Sequence, residues 1–192
     1  MTGSDELLDL IRARPDLRLI GIDGLPVSGK STLADRFAEE FGSNVISLDD
    51  FVLPQAEWPT PIRPGFPFPY IRHAAFFGSV ETLAHTGACR FQLYDWDRQA
   101  LGSWKEVRLG EKPVVVEGVS ALAAKLAPLY DLKIWVESDR DTTLQASLER
   151  GVGDWEKQWR ELFMPSVDIY LDTNPMERAD VIIAGRGGRK RL

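Results

Sequence analysis

Residues 24 to 31 read Gly-Leu-Pro-Val-Ser-Gly-Lys-Ser, which matches the pattern G-x-x-x-x-G-K-[ST] at every position. The two glycines let the backbone curl so that successive N–H groups point inward and form a nest for an anion. The lysine and the hydroxyl that follow are placed to contact phosphate oxygens and Mg²⁺. The predicted phosphate-binding residues are Gly24, Leu25, Pro26, Val27, Ser28, Gly29, Lys30, Ser31 and Thr32.

The residues around this loop have the context that the motif requires. An apolar run over residues 17–23 predicts a buried strand. Residues 31–41 carry apolar side chains at helical spacing, and Gly42 predicts the end of that helix. Strand, glycine loop and helix in this order favour a phosphate loop over the alternative, a glycine-rich turn with a surface lysine.

Strand and helix patterns alternate along the chain. Buried strands are predicted at 17–23, 44–48, 114–116, 132–136 and 180–184, helices at 5–13, 31–41, 74–86, 139–150 and 155–171, and a strand at 91–94 with a short partner at 107–109. This alternation predicts an α/β fold with three αβα layers and a mainly parallel five-stranded sheet.

Length and composition indicate one domain over residues 1–192, because 44% of the residues are hydrophobic and 27% are charged. A net charge of −6 gives no basic excess for nucleic acid. No signal-peptide pattern or bilayer-length apolar segment is present, so we expect no membrane association. The single cysteine, Cys89, is expected to be a small buried hydrophobe in a cytoplasmic protein.

Two stretches differ from the rest. Six prolines interleaved with aromatic residues in 54–69 exclude a regular helix or central strand and indicate an ordered loop. Residues 52–110 are therefore expected to form a small cover over the acceptor side of the domain. Residues 185–192 form a basic tail, for which a frayed, solvated end is favoured over a binding element.

Acidic residues follow three of the predicted strands. In an open parallel sheet, ligands bind at the carboxyl ends of the strands. Asp49 and Asp50 follow the second strand, Asp95 follows the 91–94 strand, and Glu117 follows the 114–116 strand. Asp49 is the candidate carboxylate for deprotonating an acceptor hydroxyl. Glu117 is a candidate for coordinating a metal ion through its water. The alternatives are a helix-capping role for Asp49 and a turn role for Glu117.

The chain resembles the uridine kinase-like family of P-loop kinases, which includes uridine-cytidine, nicotinamide riboside, phosphoribulose and bacterial pantothenate kinases. The matching blocks are Gly-Ile-Asp-Gly at 21–24, Ser-Leu-Asp-Asp-Phe at 47–51, Tyr-Asp-Trp at 94–96, the apolar strand and Glu-Gly at 114–119, residues 135–141 and residues 164–183. Many families share the phosphate loop, so the ordered series of blocks carries the resemblance.

The resemblance implies residue roles. Asp49 would be the general base, Lys30 would hold phosphate, and Ser31, Asp49 and Glu117 would hold Mg²⁺. Arg150 would be a catalytic lid arginine. Tyr94 and Asp95 would face the acceptor, and Asp50 is expected beside them.

The chain departs from the nucleoside kinases of this family. Their W-D-H-P or F-D-H-P, whose aspartate holds ribose, is replaced by Tyr-Ile-Arg-His-Ala over 70–74. Arg72 instead predicts contact with a negatively charged acceptor, or pairing with Asp49 or Asp50. Arg186, just past the last strand, is a candidate for stacking on adenine, with tail placement as the alternative.

The resulting hypothesis is an ATP- and Mg²⁺-dependent kinase that phosphorylates a hydroxyl group of a small, unidentified metabolite. A nucleoside or nicotinamide riboside kinase and a non-catalytic ATP-binding regulatory module remain alternatives. A GTPase is disfavoured because the chain has no N-K-x-D motif. The oligomeric state is left open, with a homodimer as one alternative.

The remaining histidine and aromatic residues have patterns that several roles would explain. His73 is expected to be a packing or surface residue rather than a catalytic one. Trp155 and Trp159, four residues apart, are expected to belong to the core. Trp58, Phe66, Phe68, Tyr70 and Trp96 would either form an apolar acceptor pocket or hold the irregular loop together.

Overall fold

The computed structural model describes residues 4–149 and 155–186. The helices are α1 (Ser4–Arg12), α2 (Lys30–Phe41), α3 (His73–Thr86), α4 (Arg140–Glu149), α5 (Glu156–Gln158) and α6 (Met164–Leu171). The strands are β1 (Leu19–Gly24), β2 (Asn44–Ser47), β3 (Ala88–Asp95), β4 (Ala100–Arg108), β5 (Val114–Glu117), β6 (Leu132–Glu137) and β7 (Val181–Ala184). A π-helical turn, Trp159–Phe163, joins α5 to α6. Within the described ranges, no helix is long and apolar enough to cross a bilayer.

Five parallel strands form the central sheet in the order β2-β5-β1-β6-β7. In the centre, Ile20 of β1 lies between Val115 of β5 and Leu132 of β6. This confirms the predicted mainly parallel, five-stranded sheet. Because all five strands run in the same direction, their carboxyl ends meet at one edge, where the phosphate loop begins.

The two faces of the sheet are covered by different elements. On one face, Val115 and Ile20 pack with Phe37 of α2 and Leu7 of α1. On the other face, the neighbouring valines of β5 pack with α3, the β3–β4 hairpin and α6. Side chains alternate between the two faces along each strand, so one strand supplies both cores. The result is the predicted three-layer αβα arrangement.

The β3–β4 hairpin is a separate antiparallel sheet. Asp95 was expected at the edge of the parallel sheet, but it ends a hairpin strand instead. The predicted strand segments at 91–94 and 107–109 were also too short. Much of β4 is exposed, including Ser103 and Trp104, so it shows no continuous apolar run in the sequence.

The proline-rich segment is an ordered loop that folds back against the site. Its two ends meet where Val52 bridges Ile71 and where the Leu53 N–H donates to the Tyr70 carbonyl at 2.9 Å. The Trp58 indole N–H closes the loop further by donating to the Leu53 carbonyl at 3.0 Å. The loop is therefore fixed beside the end of β2.

Candidate active site

The phosphate loop is an open curl between β1 and α2. Gly24 has φ 150°, and a Cβ there would lie 2.4 Å from the Val136 carbonyl oxygen, so a side chain does not fit. Gly29 has φ 109° and begins α2 in a left-handed conformation that glycine adopts without strain. The loop amides at the start of α2 are therefore placed to bind an anion.

Lys30 lies inside this curl. Its ammonium group donates to the Leu25 carbonyl at 2.7 Å, and its side chain is buried. Burial lowers the pKa of Lys30, while the negative charges of Glu117, Asp23 and Asp49 oppose that shift. A buried cation surrounded by carboxylates is held in a position from which it could contact a phosphate group.

The buried carboxylate of Asp23 holds the start of the phosphate loop in place. Asp23 accepts hydrogen bonds from the N–H groups of Gly24, Ser120 and Leu122 and from the Tyr170 hydroxyl, the last at 2.6 Å. Burial raises the pKa of Asp23, and the hydrogen bonds from Tyr170, Leu122 and Gly24 oppose the shift. Asp23 therefore ties the start of the loop to the segment after β5 and to α6. Sequence reasoning included Asp23 in a strand and in the 21–24 block but gave it no role, although an acid in an otherwise apolar strand was a usable signal.

Glu117 ends β5 beside the loop. The chain turns sharply at Gly118, which has φ 143°, and a Cβ there would lie 2.3 Å from Leu48 Cβ. Glu117 Oε1 lies 2.5 Å from the Ser47 hydroxyl and 3.5 Å from the Ser31 hydroxyl, both of which donate to it. Burial raises the pKa of Glu117, and the charge of Lys30 opposes this.

These groups fit a magnesium ion. Hydroxyl and carboxylate oxygens are the donors that Mg²⁺ prefers, and Mg²⁺ usually keeps several waters. Ser31 and Glu117 supply one oxygen of each kind within 3.5 Å of each other. No group of three or more His, Cys, Asp or Glu with ligand geometry occurs in the described residues.

Asp49 lies opposite the loop, in a 3-10 turn over Leu48–Phe51. The Ser47 hydroxyl accepts the Asp49 N–H at 3.3 Å and so caps this turn. The Asp49 side chain is exposed to a cavity whose walls raise its pKa by limiting its hydration, while Lys30 opposes the shift. The predicted capping role thus belongs to Ser47, and the Asp49 carboxylate remains available to a ligand.

A cavity of about 490 Å³ joins the phosphate loop to an aromatic surface. Its phosphate end contains Lys30, Ser31, Asp49 and Glu117, together with Pro26, Val27, Gly29 and Thr32 of the loop region. Its other end is lined by aromatic side chains, which are Trp58, Phe68, Tyr70, Tyr94, Trp96, Trp155, Trp159 and Phe163. A cavity of this size holds a typical small ligand.

Of the residues predicted to bind the acceptor, Tyr94 lines the cavity and three others do not. The Arg72 guanidinium donates to the backbone carbonyls of Val52, Asp50 and Gln92, with its Nη2 at 2.8 Å from Asp50 O and 2.7 Å from Gln92 O. Arg72 thus fastens the proline-rich loop to the hairpin. We do not propose it as an acceptor ligand.

The side chains of Asp50 and Asp95 also have other partners. Asp50 lies 3.8 Å from the Lys105 ammonium group, and Asp95 accepts the Arg98 N–H within the hairpin turn at 3.0 Å. Neither residue lines the cavity. The expectation that they bind the acceptor does not fit these placements, because local turn and ion-pair contacts hold both carboxylates.

Two further arginines predicted to act at the site lie at or beyond the ends of the described ranges. Arg150 falls outside the described residues. The Arg186 N–H donates to the Ser28 carbonyl at 3.0 Å, which holds the chain after β7 against the phosphate loop. Its side chain is exposed, and its contact with adenine stays a prediction.

Sequence reasoning missed the aromatic residues of the C-terminal segment. Trp155 and Trp159 were expected in the core, but both are half-buried and line the cavity. The π-helical turn that contains Trp159 and Phe163 changes which side chains face the same direction, so spacing in the sequence did not reveal this wall.

Sequence comparison finds no matching family model. Uridine-cytidine kinase-like 1 of Mus musculus is 27% identical over 186 residues, covering 88% of this chain and 34% of the mouse protein. Uridine-cytidine kinase A of Dictyostelium discoideum is 23% identical over 181 residues, covering 88% of this chain and 36% of that protein. The chain thus spans about a third of the length of these curated relatives.

Solved structures share the fold. A "Possible Uridine Kinase" from Bacillus stearothermophilus has a TM-score of 0.68 at 21% identity, covering 93% of this chain and 99% of that one. D-glycerate 3-kinase from Cryptococcus neoformans has a TM-score of 0.62 at 11% identity, covering 94% and 95%. The sequence relatives and these structures therefore support the resemblance of the chain to the uridine kinase-like P-loop kinases.

Proposed function

We propose that this chain transfers the γ-phosphate of ATP to a hydroxyl group of a small metabolite. One observation carries the proposal: the phosphate loop, Glu117 and the exposed carboxylate of Asp49 all line the same cavity. Phosphoryl transfer to an alcohol requires a phosphate cradle, a metal site and a carboxylate near the acceptor. The lining residues are candidates for all three roles, and this supports the proposal.

The phosphate end binds the nucleotide and stabilises charge. The loop amides and the Lys30 ammonium group would hold the β- and γ-phosphates and offset negative charge that develops during transfer. Ser31 and Glu117, with Asp49 across the cavity, would hold Mg²⁺, which neutralises phosphate charge when bound. Ser47 positions Glu117 by donating to it.

Asp49 acts on the acceptor. Its carboxylate accepts the proton of the acceptor hydroxyl as that oxygen bonds to the γ-phosphorus, and the bond from phosphorus to the β–γ bridging oxygen breaks to release ADP. A raised pKa makes the Asp49 carboxylate a stronger base than an ordinary aspartate. The products are the phosphorylated acceptor, ADP and a proton that Asp49 returns to solvent.

The test separates transfer from nucleotide binding. Asp49→Asn is expected to lower acceptor-dependent ADP release by about a thousandfold, because removal of a catalytic base costs two to four orders of magnitude. ATP affinity, measured by calorimetry in the absence of Mg²⁺, should change less than about threefold because Lys30 and the loop amides remain. The acceptor panel would include uridine, cytidine, nicotinamide riboside, pantothenate, fructose and D-glycerate.

Asp50→Asn is the matched control, because this neighbouring carboxylate lies by Lys105 and outside the cavity lining. It should retain wild-type turnover. An Asp49→Asn protein that still phosphorylates its acceptor contradicts the assignment of the base. Tight ATP binding without acceptor-dependent turnover of the wild type, over this panel and the ring-bearing alcohols described below, favours the regulatory module.

A further inference from the structure

We infer that the acceptor is an uncharged alcohol whose other end carries an apolar ring, seated on the aromatic surface of the cavity. This inference rests on the proposed transfer to a hydroxyl group and names the class of molecule that carries this hydroxyl group. The hydroxyl would lie at Asp49, and the ring would lie against the side chains that come from the proline-rich loop and from the segment before α6.

The aromatic surface is continuous and comes from two separate stretches of chain. The Trp58 ring lies 5.7 Å from the Trp155 ring and 6.3 Å from the Phe163 ring, measured between centroids. Tyr70 and Phe163 are 4.6 Å apart, and Trp159 and Phe163 are 5.4 Å apart. We call these five side chains, Trp58, Tyr70, Trp155, Trp159 and Phe163, the aromatic wall. Such rings provide a large apolar contact area for a flat ligand group.

The wall has few polar groups to offer a sugar or a nucleobase. The Trp58 indole N–H is already donated to the Leu53 carbonyl, and the nearby Ser147 hydroxyl is donated to the Thr143 carbonyl. The other lining residues beside the wall include the apolar Leu53, Ile71 and Val167 and the amides of Gln55 and Gln99. A polyhydroxylated group buried against the ring faces would therefore have few partners for its polar atoms, which is costly.

The charges of the cavity disfavour an anionic acceptor. Among the described lining residues, the acids are Asp49 and Glu117, and the cation is Lys30, which lies inside the phosphate loop. Arg72, the cation expected to meet a negative acceptor, is directed to three backbone carbonyls instead. A carboxylate or phosphate on the acceptor would therefore lose hydration beside two acids without gaining a cationic partner from the described lining.

The packing of the wall also argues against a cationic acceptor. Aromatic cages bind an ammonium group between ring faces that stand apart. Here the rings contact each other, as the separation of 4.6 Å between Tyr70 and Phe163 shows, and they form one surface. A flat, uncharged ring gains most from such a surface.

Binding of three matched alcohols tests the inference. 2-(2-Naphthyl)ethanol, its 6-carboxylate analogue and glycerol would each be titrated by calorimetry into the full chain with ADP and Mg²⁺. We expect the naphthyl alcohol to bind at least about tenfold more tightly than either of the others, because apolar burial drives its binding and an unpaired charge opposes that of the carboxylate. Choline, titrated in the same way, tests the cationic alternative.

Tryptophan variants connect this binding to the wall. Trp155→Leu and, separately, Trp58→Leu should weaken binding of the naphthyl alcohol about tenfold or more, because each removes a contacting ring. Trp104→Leu is the matched control, since Trp104 is 57% exposed, stacks on Arg90 and lies outside the cavity lining. Unchanged ADP affinity would show that each variant is folded.

Each other outcome overturns the inference. Tighter binding of the carboxylate analogue would indicate an anionic acceptor, tighter binding of glycerol a polyol, and tighter binding of choline a cation. Equal weakening by Trp104→Leu, or no weakening by either wall variant, would remove the aromatic wall from recognition. The proposed transfer is decided separately, because these titrations measure binding and the Asp49→Asn experiment measures turnover.

Discussion

The two ends of the cavity are constructed in different ways. The phosphate end comes from one short loop and from residues that directly end or follow parallel strands, and its key groups are charged or belong to the backbone. The acceptor end comes from the proline-rich loop, the hairpin tip and the segment before α6, which are far apart in sequence. Its contacts are mostly aromatic packing.

This difference separates chemistry from selection. Charge and backbone geometry at the phosphate end are suited to the same reaction whatever the acceptor is. The acceptor end determines which molecule presents its hydroxyl to Asp49. Substitutions at the first end should therefore lower turnover of every acceptor, whereas substitutions at the second should change affinity, stability or the choice of acceptor.

The largest effect is expected at Lys30. Lys30→Met should lower turnover by about a thousandfold or more, because the cation at the transferred phosphate is lost while the side chain remains long and apolar. Steady-state ADP release measures this change. Lys105→Met is the control, since that ammonium group donates to the Val45 carbonyl at 2.7 Å and lies outside the cavity lining. Similar losses in both variants would indicate a general structural defect.

A smaller effect is expected at the metal site. Glu117→Gln should lower turnover about a hundredfold at limiting Mg²⁺, because a neutral amide binds the ion more weakly than a carboxylate. The turnover of this variant should recover in part at high Mg²⁺. Turnover measured against Mg²⁺ concentration shows the shift. Glu137→Gln is the control, because Glu137 also ends a strand but accepts the Trp135 indole N–H at 2.9 Å. A Glu117→Gln profile that is unchanged in shape would exclude Glu117 from metal binding.

His73 provides a test of packing behind the acceptor end. It is buried among Phe66, Phe68 and Phe77, and its ring nitrogens have no partner among the described residues. Burial lowers the pKa of His73 from 6.5 to about 4. As the pH falls below 6.5, the unfolded chain takes up a proton on this histidine before the folded chain does. The free energy of unfolding therefore decreases between pH 6.5 and about pH 4.

Protonation of His73 in the unfolded chain lowers the free energy of unfolding at pH 5 by about 2 kcal/mol relative to pH 7.5. Urea unfolding at both pH values should therefore show that His73→Leu loses about 2 kcal/mol less free energy of unfolding than the wild type. His85→Gln, at an exposed ring near the end of α3, is the matched substitution. An equal pH dependence in the wild type and His73→Leu would contradict the neutral, buried state of His73.

The same contrast between the two ends explains what could be predicted from the sequence. The phosphate loop is contiguous and its glycines are required by backbone geometry, so the sequence alone predicts Gly24 to Thr32 as one phosphate-binding segment. The rule that ligands bind at the ends of parallel strands also located Asp49 and Glu117. The five sheet strands and the helices flanking them followed from the periodicity of apolar residues.

The acceptor end could not be predicted in this way. Arg72 was expected to contact an acceptor or to pair with Asp49 or Asp50. Whether its guanidinium faces a ligand or nearby backbone carbonyls depends on the loop conformation, which the sequence does not reveal. Trp155 and Trp159 have the spacing of core residues, and the same spacing occurs on a cavity wall. Asp95 was grouped with the acids at the carboxyl ends of the parallel strands although it ends a hairpin strand, because a strand pattern does not show which sheet the strand joins.

The smallest effect is expected at Asp95. Its carboxylate accepts the Arg98 N–H at 3.0 Å and caps the hairpin turn, so Asp95→Asn keeps an oxygen acceptor of the same size in that place. The KM for the acceptor should change less than about twofold, because no charge that faces the cavity is removed. Tyr94→Leu, one residue earlier and within the cavity lining, should raise the same KM several-fold. If Asp95→Asn instead raised KM more than Tyr94→Leu, a carboxylate at the hairpin tip would be a ligand of the acceptor. Polar recognition would then have to be added to the acceptor end.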